Sequence, residues 1–92
     1  MIKSFTDKGL QLFWETGSTR RLAVQNPKRI KMILDALNAA GKPSDMDLPG
    51  LMFHNLAPSQ PNRYTTRASG NYRITFAFEK GDAVDVDLED YH

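Results

Sequence analysis

Two histidines, three arginines and the run Asp-Tyr-His carry most of the chemistry this sequence can offer. His54 stands in "LMFHNL", Arg63 and Arg67 in "RYTTRA", and Arg73 in "YRITFAFE"; Asp90, Tyr91 and His92 are the last three residues. Imidazole titrates nearest neutral pH and serves either as proton donor or as acceptor. Guanidinium stays charged, and its fork matches phosphate oxygens. A tyrosine can stack on a base and, near cations, take part in proton transfer. Asp90 can orient His54 or His92 and fix its tautomer. The set suits metal-free phosphodiester cleavage, which needs a base for an attacking 2′-OH, an acid for the leaving oxygen and cations around phosphorus. Plainer roles exist for each residue. A histidine in an apolar strand is often packed and structural, one at a chain end is often idle, and a few arginines on a sheet are often only solvated.

Other chemistries find less support. There is no cysteine, which removes disulfides, thiolate metal sites and thiol nucleophiles together. No HxH, HExxH or ligand-spaced cluster appears, and none of the GxSxG, P-loop or GxGxxG motifs is present. Neither a metal nor an organic cofactor is expected.

The elements that must position these residues read in two halves. "MIKSF" is a short candidate strand. Thr6 is placed to N-cap a helix in which Leu10, Phe13 and Trp14 form one stripe, with Gly17 as its stop. The spacing assigns Trp14 to the core. Asn26 caps a second helix with Pro27 at its first position. Ile30, Ile33, Leu34 and Leu37 line its apolar stripe, Lys28, Arg29, Lys31 and Asp35 occupy the other sides, and Gly41 and Pro43 end it. "LMFHNL" then reads as a short strand and "RYTTRA" as another, followed by a turn at Ser69–Gly70–Asn71. "YRITFAFE" alternates, Lys80–Gly81–Asp82 turns, and "AVDVDLED" alternates Val84, Val86 and Leu88 against Asp85, Asp87 and Glu89. The order predicts an α+β domain with both helices on one face of a curved, mainly antiparallel sheet of about four to five strands. Arg63, Thr65 and Arg67 share one strand face and Arg73, Thr75 and Ala77 another. A hairpin joining the two strands makes them one basic patch on the side away from the helices.

Ninety-two residues are one domain's worth, and 40% hydrophobic with 25% charged residues is ordinary for a soluble chain. No apolar run approaches a signal peptide core or a membrane span, so a soluble cytoplasmic protein is expected. Net charge is +1. Residues 1–45 hold eight Lys/Arg against four Asp/Glu, and residues 46–92 hold four against seven. That asymmetry permits a polyanionic partner without requiring one.

Beyond these readings, "MIKSF", the "RITF.F" strand, the Gly-Asp turn and the final "EDYH" resemble the HigB-type toxins of bacterial toxin–antitoxin operons, within the RelE-like superfamily. The resemblance spans essentially the whole chain and is most specific over "RITFAFEKGDAVDVDLEDYH". It implies the compact RelE-like α+β fold and metal-free cleavage of mRNA on the ribosome by 2′-OH attack. It also implies a small helix-turn-helix antitoxin of the HigA type, with DNA contacted only through that partner and no membrane involved. By the same resemblance the catalytic positions are His54, Arg73, Asp90, Tyr91 and His92. Arg67 matches an arginine common in these toxins, and Arg63 joins it as a phosphate-directed cation. The chain departs from the family at Ala57, where members often carry lysine within a His-Pro-Leu-Lys segment; here the segment reads His54-Asn55-Leu56-Ala57. A non-enzymatic toxin of the same fold, inhibiting a target such as gyrase by binding, is the alternative this departure raises.

Overall fold

Asp7 rather than Thr6 starts the first helix. In the computed structural model, which describes residues 1–90, α1 (Lys8–Thr16) has Asp7 as its N-cap, the carboxylate accepting from the Leu10 amide at 2.7 Å. A carboxylate there satisfies a free amide and also faces the positive end of the helix dipole. Gly17 ends the helix in the left-handed conformation, donating its N–H to the Phe13 carbonyl at 2.8 Å. Gly9, inside the helix, lies beneath the connection to the next one: a Cβ there would fall 1.9 Å from the Arg21 carbonyl oxygen. The second helix, α2 (Pro27–Ala39), starts as its sequence predicts, with the Asn26 side chain accepting from the Arg29 amide and Pro27 in the first turn. A 3-10 turn over Pro43–Met46 follows it.

The sheet comprises β1 (His54–Asn55), β2 (Tyr64–Ser69), β3 (Tyr72–Glu79) and β4 (Asp82–Asp90), paired antiparallel in that order. "LMFHNL" yields only two strand residues, because Met52 takes a positive φ of 50° and turns the chain just before β1. "MIKSF" lies parallel along the outer edge of β4, bridging Ile2 to Ala83 and Phe5 to Val86. Lys3 and Thr6 donate there to the Ala83 and Val86 carbonyls, both at 2.8 Å. The β3–β4 turn holds Lys80 and Gly81 at φ 51° and 84°, the left-handed pair that matches the twist of a two-residue hairpin.

Both helices contribute to one core on one face of this sheet. Leu10 and Phe13 from α1 and Ile30, Ile33, Leu34 and Leu37 from α2 are buried with Ile74, Phe76, Val86 and Leu88. Phe53, Tyr64 and Phe76 stack in succession beside them, with ring centroids 5.7 and 6.0 Å apart. Trp14 is only half-buried. It packs against the edge of the core and lines, with Phe13, Gly17, Lys31 and Asp35, a pocket of about 270 Å³ between α1 and α2. Among the described residues no helix is long and apolar enough to cross a membrane.

Arg29 does more than decorate α2. Its Nε donates to the Ala68 carbonyl, and its Nη2 donates to the carbonyls of Gly50 at 2.8 Å and Arg67 at 3.0 Å. One guanidinium thus ties α2 to the loop before β1 and to the end of β2. Lysine has no planar fork with which to serve three carbonyls. Arg29→Met is expected to destabilise the fold by about 1–3 kcal/mol, the range for losing charge-assisted hydrogen bonds to partly buried acceptors. Arg29→Lys should recover only a small part of that loss. Urea unfolding measures both, and a Met variant within about 0.5 kcal/mol of the parent, the scatter of ordinary surface substitutions, rejects the clamp.

Candidate active site

The face of the sheet turned away from the core is organised in cross-strand rows. His54 pairs with Thr65, Thr65 with Thr75 and Thr75 with Asp87, forming one row across all four strands. Arg67 pairs with Arg73 and Arg73 with Glu89, forming the next. The basic patch expected from parity is therefore assembled by register, with Arg67 and Arg73 directly opposite one another. Directly opposed residues in an antiparallel pair have Cβ atoms about 5 Å apart, and like charges so placed repel.

Arg63 precedes β2 and reaches across this face. Its Nη2 donates to the Thr75 hydroxyl at 2.7 Å and its Nη1 to the Asp85 carbonyl at 2.8 Å. The Thr75 hydroxyl in turn donates to Glu89 Oε2. Arg63 is half-buried, whereas Arg67 is exposed, its Nη1 lying 3.9 Å from the Met52 sulfur. Asp85 marks a β-bulge: the ladder passes from Thr75–Asp87 to Ala77–Val84, so Asp85 and Val86 together oppose Phe76, and Asp85 takes a φ of 51°. The bulge reverses the inside–outside alternation along β4. Ala83, Val86 and Leu88 are buried while Val84 is only half-buried, so the expected inward run of Val84, Val86 and Leu88 holds only after the bulge.

Asp87 and Glu89 are half-buried on this face and not on a freely solvated edge. Burial raises the Asp87 carboxyl above the ordinary aspartate range. The Leu88 amide, donating to it at 2.9 Å, pulls the other way; Glu89 and Asp7 push it further up, and the Arg63 charge lowers it. Two strands away in the same row, Thr65 is 3% exposed, and its hydroxyl has no hydrogen-bond partner among the described residues.

His54, Arg63, Arg67 and Arg73 thus share one face. His54 is exposed at the β1 edge, two strands and one row from Arg73, or about 12 Å between Cα positions from standard sheet spacings. Asp90 pairs with Tyr72 at the far end of β4, exposed, and its place in the pleat is that of Leu88 and not of Glu89. Tyr91 and His92 lie outside the described residues. Ala57, exposed at the start of the β1–β2 loop, has its amide bonded to Asn55 Oδ1 at 2.7 Å. Sequence reasoning overlooked Thr65, Thr75, Asp87 and Glu89 as members of the site. Parity already placed Thr65 with Arg67 and Thr75 with Arg73; cross-strand register was the missing signal.

Comparison with known proteins identifies the family. Residues 3–92 match the family model of the RelE-like toxin of the type II toxin–antitoxin system HigB. The chain is 36% identical over 92 residues to the endoribonuclease HigB of Proteus vulgaris, covering the whole of both sequences. A match that long, carried on two helices packed against a four-stranded antiparallel sheet, leaves one conclusion. The chain belongs to the HigB-like family of RelE-like toxins of type II toxin–antitoxin systems.

Proposed function

We propose that this toxin is a ribosome-dependent, metal-free endoribonuclease that cleaves mRNA during translation by 2′-OH attack, and so inhibits translation and growth. The observation that carries the reading is the Arg67–Arg73 pair. Two guanidinium groups set opposite each other across a strand pair destabilise the sheet, and a phosphate bound between them relieves that repulsion. The endoribonuclease name of the full-length Proteus relative supports the same reaction. In this reading Arg73 and Arg67 hold the scissile phosphate and stabilise its developing charge. Arg63 adds positive potential from its seat on Thr75. His54, Tyr91 and His92 divide between them the proton transfers, and Asp90, on the Leu88 side of the pleat, is left to orient His92 rather than His54. The ribosome presents the message, a HigA-type helix-turn-helix antitoxin neutralises the toxin, and the reaction runs in the cytoplasm without a cofactor.

Brief induction in a bacterial host without antitoxin, followed by mapping of transcript 5′ ends, tests the whole reading. New ends inside coding regions, in frame with codons, are expected from the parent and absent from a His92-deleted form and from Arg73→Ala. Growth arrest with intact transcripts would instead identify an inhibitor that acts by binding. Arg67→Thr should separate stability from activity. Removing the like-charge neighbour is expected to raise the unfolding free energy by about 0.2–1 kcal/mol, while cleavage falls at least about tenfold for loss of a phosphate-directed cation. A variant that is both less stable and fully active contradicts the role given to the pair. Ala57→Lys adds a cation on an open loop position three residues beyond His54. It is expected to speed cleavage of programmed ribosomes by roughly tenfold or more, and an unchanged rate would show that the site has no use for a charge there.

A further inference from the structure

The hydrogen bonds joining Arg63, Thr75 and Glu89 have only one consistent direction. A guanidinium donates and never accepts, so the Thr75 oxygen must receive the Arg63 Nη2–H. The single hydroxyl proton of Thr75 is then committed to Glu89 Oε2. Thr75 is fully buried, so water cannot stand in for either partner. Arg63 is in turn anchored on the Asp85 carbonyl at the bulge. The chain therefore begins on a backbone atom of β4, crosses to β3, and returns to a carboxylate on β4. That carboxylate is the register partner of Arg73.

We propose that Glu89 is a positioning residue for Arg73, held by Thr75 and Arg63, and that this relay aims the Arg73 guanidinium toward the bound phosphate; the proposal rests on the nuclease reading above. The row Arg67–Arg73–Glu89 carries the charges plus, plus, minus. Repulsion from Arg67 and attraction to Glu89 act on Arg73 in the same sense, so a carboxylate fixed in place selects where that cation sits. A long arginine side chain otherwise samples many rotamers, and freezing it in the transition state consumes binding energy that a pre-set geometry conserves. Arg67, with no carboxylate facing it in register, is left as the exposed and adaptable contact. Two arginines of one row thus take different parts, one aimed and one mobile enough to follow the substrate.

The test is a double-mutant cycle on purified toxin with mRNA-programmed ribosomes, reading the single-turnover cleavage rate at saturating toxin and, separately, the toxin concentration giving half that rate. Thr75→Val, nearly isosteric, is expected to lower the saturating rate about tenfold with half-saturation changed less than twofold, and Thr75→Ser to restore it. Glu89→Gln should follow Thr75→Val. If the relay works through Arg73, adding Thr75→Val to Arg73→Ala costs less than a further twofold. Multiplying effects in the double variant, or a Thr75→Val rate equal to the parent's, overturns the relay while leaving the nuclease reading in place. A Thr75→Ser variant as slow as Thr75→Val, with both melting lower than the parent, also overturns it, since that is the behaviour of a merely structural hydroxyl. An Arg73→Ala variant that cuts at the parental rate overturns the site assignment itself, and the relay with it.

Discussion

The slip in the β3–β4 ladder at Asp85 is held by Arg63, which reaches from the start of β2 to the Asp85 carbonyl. What faces the open side of β4 depends on that slip. Before it, Ala83 points into the core; after it, Val86 and Leu88 do, so Asp87 and Glu89 fall on the same side as Thr75 and Arg73. Without the extra residue the parity would be reversed, and two carboxylates would be pressed against Ile74 and Phe76. Ser4 secures the bulge from the other side: its hydroxyl accepts from the Asp85 amide at 2.8 Å, and its carbonyl accepts from Val86 at 3.1 Å. The start of the chain, the start of β2 and the middle of β4 therefore converge on one backbone irregularity, which sets the register of the strand leading to Asp90.

The two faces of the sheet are built to different standards. On the helix side every large apolar residue of the α2 stripe is fully buried, and the guanidinium of Arg29 finds three carbonyls. On the open side two arginines are opposed, Asp87 holds a carboxyl that its surroundings disfavour as an anion, and the Thr65 hydroxyl lies buried without a partner among the described residues. Each of these is an unfavourable choice, and the unpartnered hydroxyl alone costs about 1–3 kcal/mol. Their concentration on one surface, with none on the other among the described residues, is what marks this face as a candidate site.

Much of this was legible in the sequence, where local rules act alone. The α2 stripe and its Asn26–Pro27 start, the Gly17 stop, the closing hairpin and the shared face of the arginines all follow from spacing and cap chemistry. Apart from the local choice between two adjacent caps, the failures have non-local causes. Thr6 and Asp7 are both competent caps, and the carboxylate is the one that accepts the helix amide. "LMFHNL" has the composition of a strand, yet Met52 at positive φ leaves Leu51 to bond the β2 backbone before pairing begins at His54. Val84 was assigned inward because a period-2 pattern carries no mark of the bulge one residue later. Arg29 resembles any solvated helix cation until the loop carbonyls it serves are brought up from 21 and 38 residues away. Glu89 resembles a solvent-facing acid in the same way until register sets it opposite Arg73.

The location of positive charge bears on how the proposed nuclease holds its message. Of the three arginines on the open side, Arg63 spends its two terminal nitrogens on internal acceptors and Arg73 is register partner to a carboxylate; only Arg67 is exposed. Asp87 and Glu89 share that surface, and the loop after β1 carries the uncharged Ala57. A face with that balance has little long-range attraction for a free polyanion, because counterion release scales with the number of phosphates neutralised. It is better suited to a short stretch of RNA already held in place by something else, where two well-directed cations suffice. In the proposed reading, sparse charge on the open sheet and a ribosome that presents the codon are two halves of one arrangement. The relay proposed for Glu89 matters more to such a protein than it would to a strongly basic one, since it has fewer cations to misplace.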